Sequence, residues 1–219
     1  MFLMNVQNLQ AHITDLVSCT QPLQLNCIAV TETWLPDTFV SECVKIQGYN
    51  FHNQSRSSSY SNSNHTLADI QQQQHGGVGM YSNDALQYDI VKVPHLSLEC
   101  MVYNYTTFRI VIAVVYRPPS YPMSHFKANL TRLTDCLDLI NTTAAVIGDF
   151  NDNIFKSSSM VAFMADKGYI QHVTQATTEK GTLIDHIYIK TTCYDVDTLV
   201  LPTYFSDHEG IACSFTSRL

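Results

Sequence analysis

The chain has 219 residues, 45% of them apolar and 14% charged, which is apolar enough to bury a sizeable core and excludes an intrinsically disordered segment. Twelve basic residues against nineteen acidic ones leave a formal net charge of -7, which excludes a strongly cationic nucleic-acid module. Its overall field repels phosphate, so any grip on nucleic acid must be local, and at roughly 100–200 residues per domain the length suits one α/β-sized domain.

Leu9, Ile13, Leu16 and Val17 repeat at i, i+4, i+7 and i+8, which predicts an amphipathic helix. The run Cys27 to Thr31 (CIAVT) reads as a strand. From His52 to His75 the chain is rich in Ser, Asn and Gln and ends in QQQQ, so it is expected to form a long mobile surface loop. Gly76-Gly77-Val78-Gly79 leads into a β-like texture, with short apolar runs near 88–93, 98–103 and 108–116 before Pro118-Pro119 stops the last one. Phe126, Leu130, Leu133, Leu137 and Ile140 mark one face of a second helix. Ala144 to Ile147 is a buried-type strand running into Gly148-Asp149-Phe150-Asn151, and a third helix over about 157–167 ends at Gly168. Two more strands are expected near 183–190 and 210–215. Helices interspersed among strands, with no repeat and no linker, predict a single layered α/β or α+β domain.

No stretch reaches the roughly 18 apolar residues of a membrane helix, and MFLMNVQN lacks the basic start of a signal peptide, so an intracellular protein without a membrane span is expected. Seven scattered cysteines with no CxxC pair predict neither a zinc site nor a disulfide framework, and the five N-x-S/T sequons, at Asn53, Asn64, Asn104, Asn129 and Asn141, carry no weight without export.

Four acids sit where strands meet loops: Glu32, Asp149, Asp185 and Asp207. Strand ends are where α/β folds place ligands, and carboxylates there suit a hard cation such as Mg²⁺. Asn151 follows Asp149 by two residues and His208 adjoins Asp207, which supplies a water-positioning acid, an amide donor and an imidazole for phosphoryl chemistry. Competing chemistries lack their signatures. GGVG precedes a strand and has no GxGxxG spacing, and the chain contains no GxSxG, no P-loop and no HExxH.

T-E-T-W-L (31–35), Y-R-P-P (116–119), G-D-F-N (148–151), L-I-D-H-I (183–187) and S-D-H (206–208) occur in that order. Together they resemble the endonuclease/exonuclease/phosphatase superfamily, in particular the apurinic-like endonuclease domains of non-LTR (LINE-type) retrotransposons. Residues 168–190 also resemble the copies of that domain attached to Helitron-type transposons. The resemblance runs from about residue 2 to 216. It implies a four-layer α/β sandwich, two mainly antiparallel sheets packed face to face and flanked by helices, with the site at one rim.

Carried over by position, the resemblance makes Glu32 the principal Mg²⁺ ligand (Mn²⁺ able to substitute), with Asn5 at the metal–phosphate site and Asp207 a further metal-side carboxylate. Asp149 orients or deprotonates the attacking water, and Asn151 bonds the phosphate or that water. Tyr116 contacts the scissile phosphate, and His208, oriented by Asp185, stabilises the transition state. Ser206 supports Asp207 and is counted with Arg117 as substrate-binding, Arg117 being either a phosphate contact or simply exposed. Tyr116 as a strand tyrosine and Asn5 as a turn former remain open alternatives, and Trp34 reads as a packing residue. Two departures stand out: only four residues precede Asn5, and Gln7 replaces a usual acid, which argues against tight two-metal binding.

The implied activity is Mg²⁺-dependent nicking of DNA to leave a 3′-hydroxyl, in a monomeric, nuclear, transposon-derived protein whose reverse-transcriptase or helicase partner is absent from this chain. Two alternatives keep the fold: a phosphatase or phosphodiesterase acting on a small or lipid phosphate, and a catalytically silent binding domain.

Overall fold

The computed structural model describes residues 1–60, 67–73, 75–156 and 158–218. In chain order the elements are β1 (Phe2–Asn5), α1 (Leu9–Thr20), β2 (Cys27–Thr31), β3 (Tyr49–Gln54), α2 (Arg56–Ser59), α3 (Ala68–Gln71), β4 (Val78–Asn83), β5 (Asp89–Val91), β6 (Glu99–Tyr105) and β7 (Ile110–Tyr116). They continue with α4 (Met123–Ile140), β8 (Thr143–Asp149), α5 (Met160–Asp166), β9 (Ile170–Gln171), β10 (Asp185–Lys190), β11 (Tyr194–Leu201) and β12 (Gly210–Ser217).

The strands form two six-stranded sheets, ordered β11-β12-β1-β2-β4-β3 and β5-β6-β7-β8-β10-β9. Each has one parallel pair, β1 with β2 and β7 with β8, among otherwise antiparallel neighbours. Strand alternation sorts the side chains into layers. Leu3, Ala29, Met80, Ile112, Val114 and Ile147 fill the space between the sheets. The opposite faces carry Met4, Ile28 and Val30, packed with Leu9 and Leu16 of α1, and Val111, Val115 and Val146, packed with Phe126, Leu130 and Leu133 of α4. Helix, sheet, sheet and helix make the four-layer sandwich. All seven positions of both β7 and β8 are buried, because each is covered on both faces, which is why those segments read as unbroken apolar runs.

The structure departs from the sequence reading in three places. The expected loop 52–75 opens with the end of β3 and continues through α2 and α3, and Tyr60, Leu67 and Ile70 are buried against Leu98 and Val102. A few apolar side chains at the right positions anchor a segment whose average composition is polar. Residues 61–66 and 74 of that expectation, with the Asn64 sequon, lie outside the described residues. Strand β11 follows a two-residue alternation, with Tyr194, Val196 and Val200 turned toward the core and Asp195, Asp197 and Leu199 outward; the acids mask it in a hydropathy reading. Strand β3 (YNFHNQ) is polar and lies at a sheet edge. Among the described residues no helix is long and apolar enough to cross a membrane, and all seven cysteines are free thiols.

Candidate catalytic site

Strand direction brings the motif residues together. The parallel strands β1 and β2 end at Asn5 and Thr31, and β7 and β8 end at Tyr116 and Asp149, all at one rim of the sandwich. In the second sheet Glu99, Tyr116, Asp149 and Asp185 occupy one register level across β6, β7, β8 and β10. Four residues from 99 to 185 therefore form a single row.

The connections that leave this rim are tightly bent. Among the non-glycine residues with positive φ are Gln7 (43°), Asn8 (90°), Glu32 (53°), Trp34 (54°) and Asn151 (47°), all in loops at this rim. Such conformations cost about 1–3 kcal/mol each and persist only where surrounding bonds enforce them. Here the enforcement is visible. The Asn8 N–H donates to Glu32 O (3.0 Å), Leu9 N–H to Thr33 O (3.1 Å) and Trp34 N–H to Gly76 O (2.8 Å).

Asn5 is the hub between the two sheets. Its Nδ2 donates to Glu32 Oε1 and to Asp149 Oδ2, both at 3.0 Å. Glu32 Oε1 also accepts from the Tyr116 hydroxyl (2.9 Å), and its Oε2 accepts from Trp34 Nε1 (3.1 Å). Trp34, read as packing, is thus a donor to the proposed metal ligand. Asp149 Oδ1 accepts from Asn151 N–H (2.8 Å), while Asn151 Nδ2 donates to Arg117 O (2.9 Å). His208 Nδ1 lies 2.8 Å from Asp185 Oδ2, and its Nε2 lies 4.0 Å from Asp149 Oδ2 and 3.7 Å from Asp207 Oδ1. Gln7 Nε2 donates to Asp207 Oδ1 (2.7 Å), so the residue that replaces an acid holds one in place.

Two of the expected substrate contacts are committed elsewhere. Arg117 is buried, and its Nε, Nη1 and Nη2 donate to the carbonyls of Phe150 (2.7 Å), Tyr121 (2.6 Å) and Asn151 (2.8 Å). A planar five-donor fork suits this clamp, and it leaves the guanidinium turned into the loops rather than out to a phosphate. Ser206 Oγ donates to Asn5 O (2.9 Å) and accepts from His208 N–H (3.2 Å), which joins β1 to the loop that carries His208. Thr177 was not singled out in the sequence. Its buried hydroxyl accepts from Ile184 and Asp185 N–H (both 3.2 Å), and its carbonyl accepts from Glu209 N–H (2.8 Å). No sequence pattern marks such a side chain-to-backbone brace.

Burial and mutual repulsion set the charge states. Burial first, and then Asp185, push the Asp149 carboxyl up to about 8, with His208 pulling the other way. Burial opposes the charged form of His208, but Asp185, Asp149 and Asp207 outweigh it and push the imidazole up to about 10. Burial and then Glu32 raise the Tyr116 phenol, which keeps it a hydroxyl donor.

A divalent cation fits this rim. Asp149, Asp185 and His208 are buried and offer ligand atoms within 4.8 Å of one another, and Asp185 Oδ1 is buried with no hydrogen-bond partner among the described residues. Burial and then Asp185 disfavour the charged form of Asp149, an effect that a bound cation would oppose. Both His208 nitrogens face carboxylates, so oxygen atoms are the ligands this rim offers a hard ion that keeps several waters.

The model of the Endonuclease/Exonuclease/phosphatase family matches residues 4–208. No curated protein sequence matches the chain. Among solved structures, the 3′ phosphatase NExo from Neisseria, bound to product DNA hairpin, is 14% identical over 98% of each chain with a TM-score of 0.68. The endonuclease domain of TRAS1, a telomere-specific non-LTR retrotransposon, is 12% identical over 100% of this chain and 97% of its own, with a TM-score of 0.68. A mannosyl-6-phosphatase from Bacteroides thetaiotaomicron is 12% identical over 99% of each chain with a TM-score of 0.69. At these identities the likeness carries the fold, and one fold here serves both DNA and sugar phosphates.

Proposed function

We propose that this chain, which belongs to the Endonuclease/Exonuclease/phosphatase family, is a Mg²⁺-dependent endonuclease that nicks DNA to leave a 3′-hydroxyl. The observation that carries the reading is a buried acid facing an imidazole that a second acid backs: Asp149 Oδ2 lies 4.0 Å from His208 Nε2, and Asp185 lies 2.8 Å from Nδ1.

In this reading a water held by Asp149 and Asn151 attacks phosphorus and gives its proton to the Asp149 carboxylate. The bond from phosphorus to O3′ breaks, the O3′ oxygen takes a proton from solvent, and the 5′ side keeps the phosphate. His208, held cationic by Asp185, donates from Nε2 to a non-bridging oxygen as negative charge builds there. The Tyr116 hydroxyl, shared with Glu32, is a second donor on that side. When bound at Glu32, Asn5 and Asp207, the cation supplies positive charge that favours the carboxylate forms of Glu32 and Asp149 and offsets charge on the phosphoryl oxygens. We place the protein in the nucleus as a monomer of transposon origin, served by a reverse-transcriptase or helicase partner that adds grip on DNA.

One observation favours a second reading, hydrolysis of a small or lipid phosphate: Arg117 is withdrawn from the rim of a chain of net charge -7. Incubation of the purified chain with supercoiled plasmid, and separately with phosphoinositides, in Mg²⁺ or Mn²⁺ tests both. Nicking by the wild type that Asp149→Ala and His208→Ala lose supports the endonuclease, and phosphate release from the lipid alone supports the alternative. Inactivity of the wild type on both would leave only a silent binding domain.

A further inference from the structure

Besides Asn5, two donors hold the Glu32 carboxylate: the Tyr116 hydroxyl on Oε1 (2.9 Å) and the Trp34 indole N–H on Oε2 (3.1 Å). Both lead back to one buried ion pair, Arg56 with Glu99, which takes no part in the chemistry proposed above.

The path through Trp34 runs along the backbone. A bulky residue at a φ of 54° persists only where surrounding bonds enforce it. Those bonds come from the Gly76-Gly77 turn, where Gly77 O accepts the Thr33 N–H (3.4 Å) and Gly76 O accepts the Trp34 N–H (2.8 Å). Glu99 fixes the turn in its own place. Its Oε2 accepts the Gly77 N–H, while Arg56 Nε donates to Oε1 (2.8 Å). Gly77 has a φ of 90°, and a Cβ there would lie 2.6 Å from Thr33 Oγ1, so the approach of the two loops requires a glycine. The GGVG run that fails as a nucleotide cradle finds its use here.

The path through Tyr116 runs across the sheet. Glu99 is the direct neighbour of Tyr116 in the register of β6 and β7, and the Arg56 guanidinium stands 5.6 Å from the centre of the Tyr116 ring. Glu99 is 0% exposed and Arg56 6%, so both charges are out of water. A buried pair of this kind adds little stability over well-packed apolar side chains. What apolar side chains could not do is accept the Gly77 N–H and set a cation against the Tyr116 ring.

We propose that Glu99, with Arg56 as its partner, is a positioning residue for Glu32. Through the glycine turn and Trp34 on one side, and through Tyr116 on the other, it fixes where the two donors stand and so fixes the orientation of the Glu32 carboxylate. Its functional consequence rests on the metal reading proposed above; its geometry does not.

Trp34 is the only tryptophan in the chain, which makes the test direct. In metal-free protein, solvent exchange of the single indole N–H signal in NMR spectra reads the bond to Glu32. Arg56→Met combined with Glu99→Met fills the space with apolar groups, so it should melt close to the wild type yet exchange the indole proton on the order of tenfold faster. Glu99→Gln has one acceptor oxygen for two donors and should fall between the two. Quenching of Trp34 fluorescence by Mn²⁺ then measures metal affinity, which should weaken about 10–100-fold in the double variant. A merely structural pair predicts that restored stability brings wild-type behaviour back with it. Wild-type indole exchange in the double variant and in Glu99→Gln would therefore overturn the positioning role. If the double variant does not fold, the rate in Glu99→Gln alone decides, and an unchanged rate overturns it. Faster exchange with Mn²⁺ affinity unchanged would also overturn it, because Glu32 would then need no such support. A wild type that binds no Mn²⁺, with the indole still freed in the variants, would overturn the metal reading and leave the positioning of Glu32 standing.

Discussion

The buried pair of Arg56 and Glu99 gives the most quantitative prediction. Glu99 is fully buried, accepts Arg56 Nε at 2.8 Å and also accepts the Gly77 N–H. Burial pushes its carboxyl from an ordinary 4.5 up to about 7, with Arg56 and the Gly77 N–H offsetting part of the rise. Because the folded chain holds this proton more tightly than the unfolded chain, the contribution to stability is full below pH 4.5. It declines by about 3 kcal/mol as the pH climbs from 4.5 through 7. Arg56→Met strips the offset and should cost about 3–5 kcal/mol at pH 8, where it leaves a buried charge unpaired, and less at pH 5.5, where Glu99 takes up a proton. Glu99→Gln should flatten the pH slope in this window. Arg56→Met combined with Glu99→Met should recover most of the loss, since replacing both partners of a buried pair by apolar groups is often close to neutral. Urea unfolding of the four proteins at pH 5.5 and 8 measures all of this. A loss under about 1 kcal/mol for Arg56→Met at pH 8, or a double variant as unstable as the two singles added together, would refute the reasoning.

Other substitutions separate brace from chemistry. Asp185→Asn removes the nearest carboxylate to His208, worth about 4 kcal/mol at 4 Å in a medium of effective dielectric 20, so the imidazole pKa should fall by about two to three units from near 10. NMR titration of the metal-free protein reads it, and the stability this histidine adds, full below 6.5 and lost as the pH rises through 10, should disappear from the high-pH end first. Arg117→Met strands three carbonyls and should destabilise by about 3 kcal/mol in urea, with Arg117→Lys unable to restore the fork; a change in KM without loss of stability would return Arg117 to the substrate. Gly148→Ala drives a Cβ into Val115 O at a φ of 144°, so little soluble protein should be recovered on expression. Mg²⁺ at a hundred times its Kd should stabilise the wild type by about 2.7 kcal/mol in thermal melts, and Glu32→Gln should abolish that gain.

Periodicity made the fold legible where burial is two-sided or strongly one-sided. The β7 and β8 runs and the α4 stripe of Phe126, Leu130, Leu133 and Leu137 follow from pattern alone, and Gly168 past α5 has the positive φ of 85° expected after a helix end. Strand β11 was opaque because Asp195 and Asp197 hold its outward positions, and β3 because an edge strand needs little apolar surface. At the site, the motifs named Asn5, Glu32, Tyr116, Asp149, Asp185 and His208, and the structure places them in two hydrogen-bonded groups that Ser206 joins. What they could not convey is register and loop direction. Trp34 and Gln7 reach Glu32 and Asp207 only through left-handed turns, and Arg117 faces inward because three buried carbonyls require donors. Each of these depends on partners more than twenty residues away or on a rare backbone state, neither of which a local pattern encodes.

Strand β1 is an interior strand, flanked by β2 on one side and β12 on the other. During synthesis its second edge stays unpaired until Gly210–Ser217 arrive, about two hundred residues after it. Ser206 reaches back to Asn5 across the same interval. Pairings this remote in sequence form slowly, and an open strand edge on a nascent chain invites association with other chains. The same topology acts as a timing device: a ribosome-bound chain holds Glu32, Tyr116 and Asp149 well before His208 exists to complete the set. The assembled site is therefore withheld until β12 closes the sheet, and a product stalled before residue 206 has most of the motifs and none of the assembled centre.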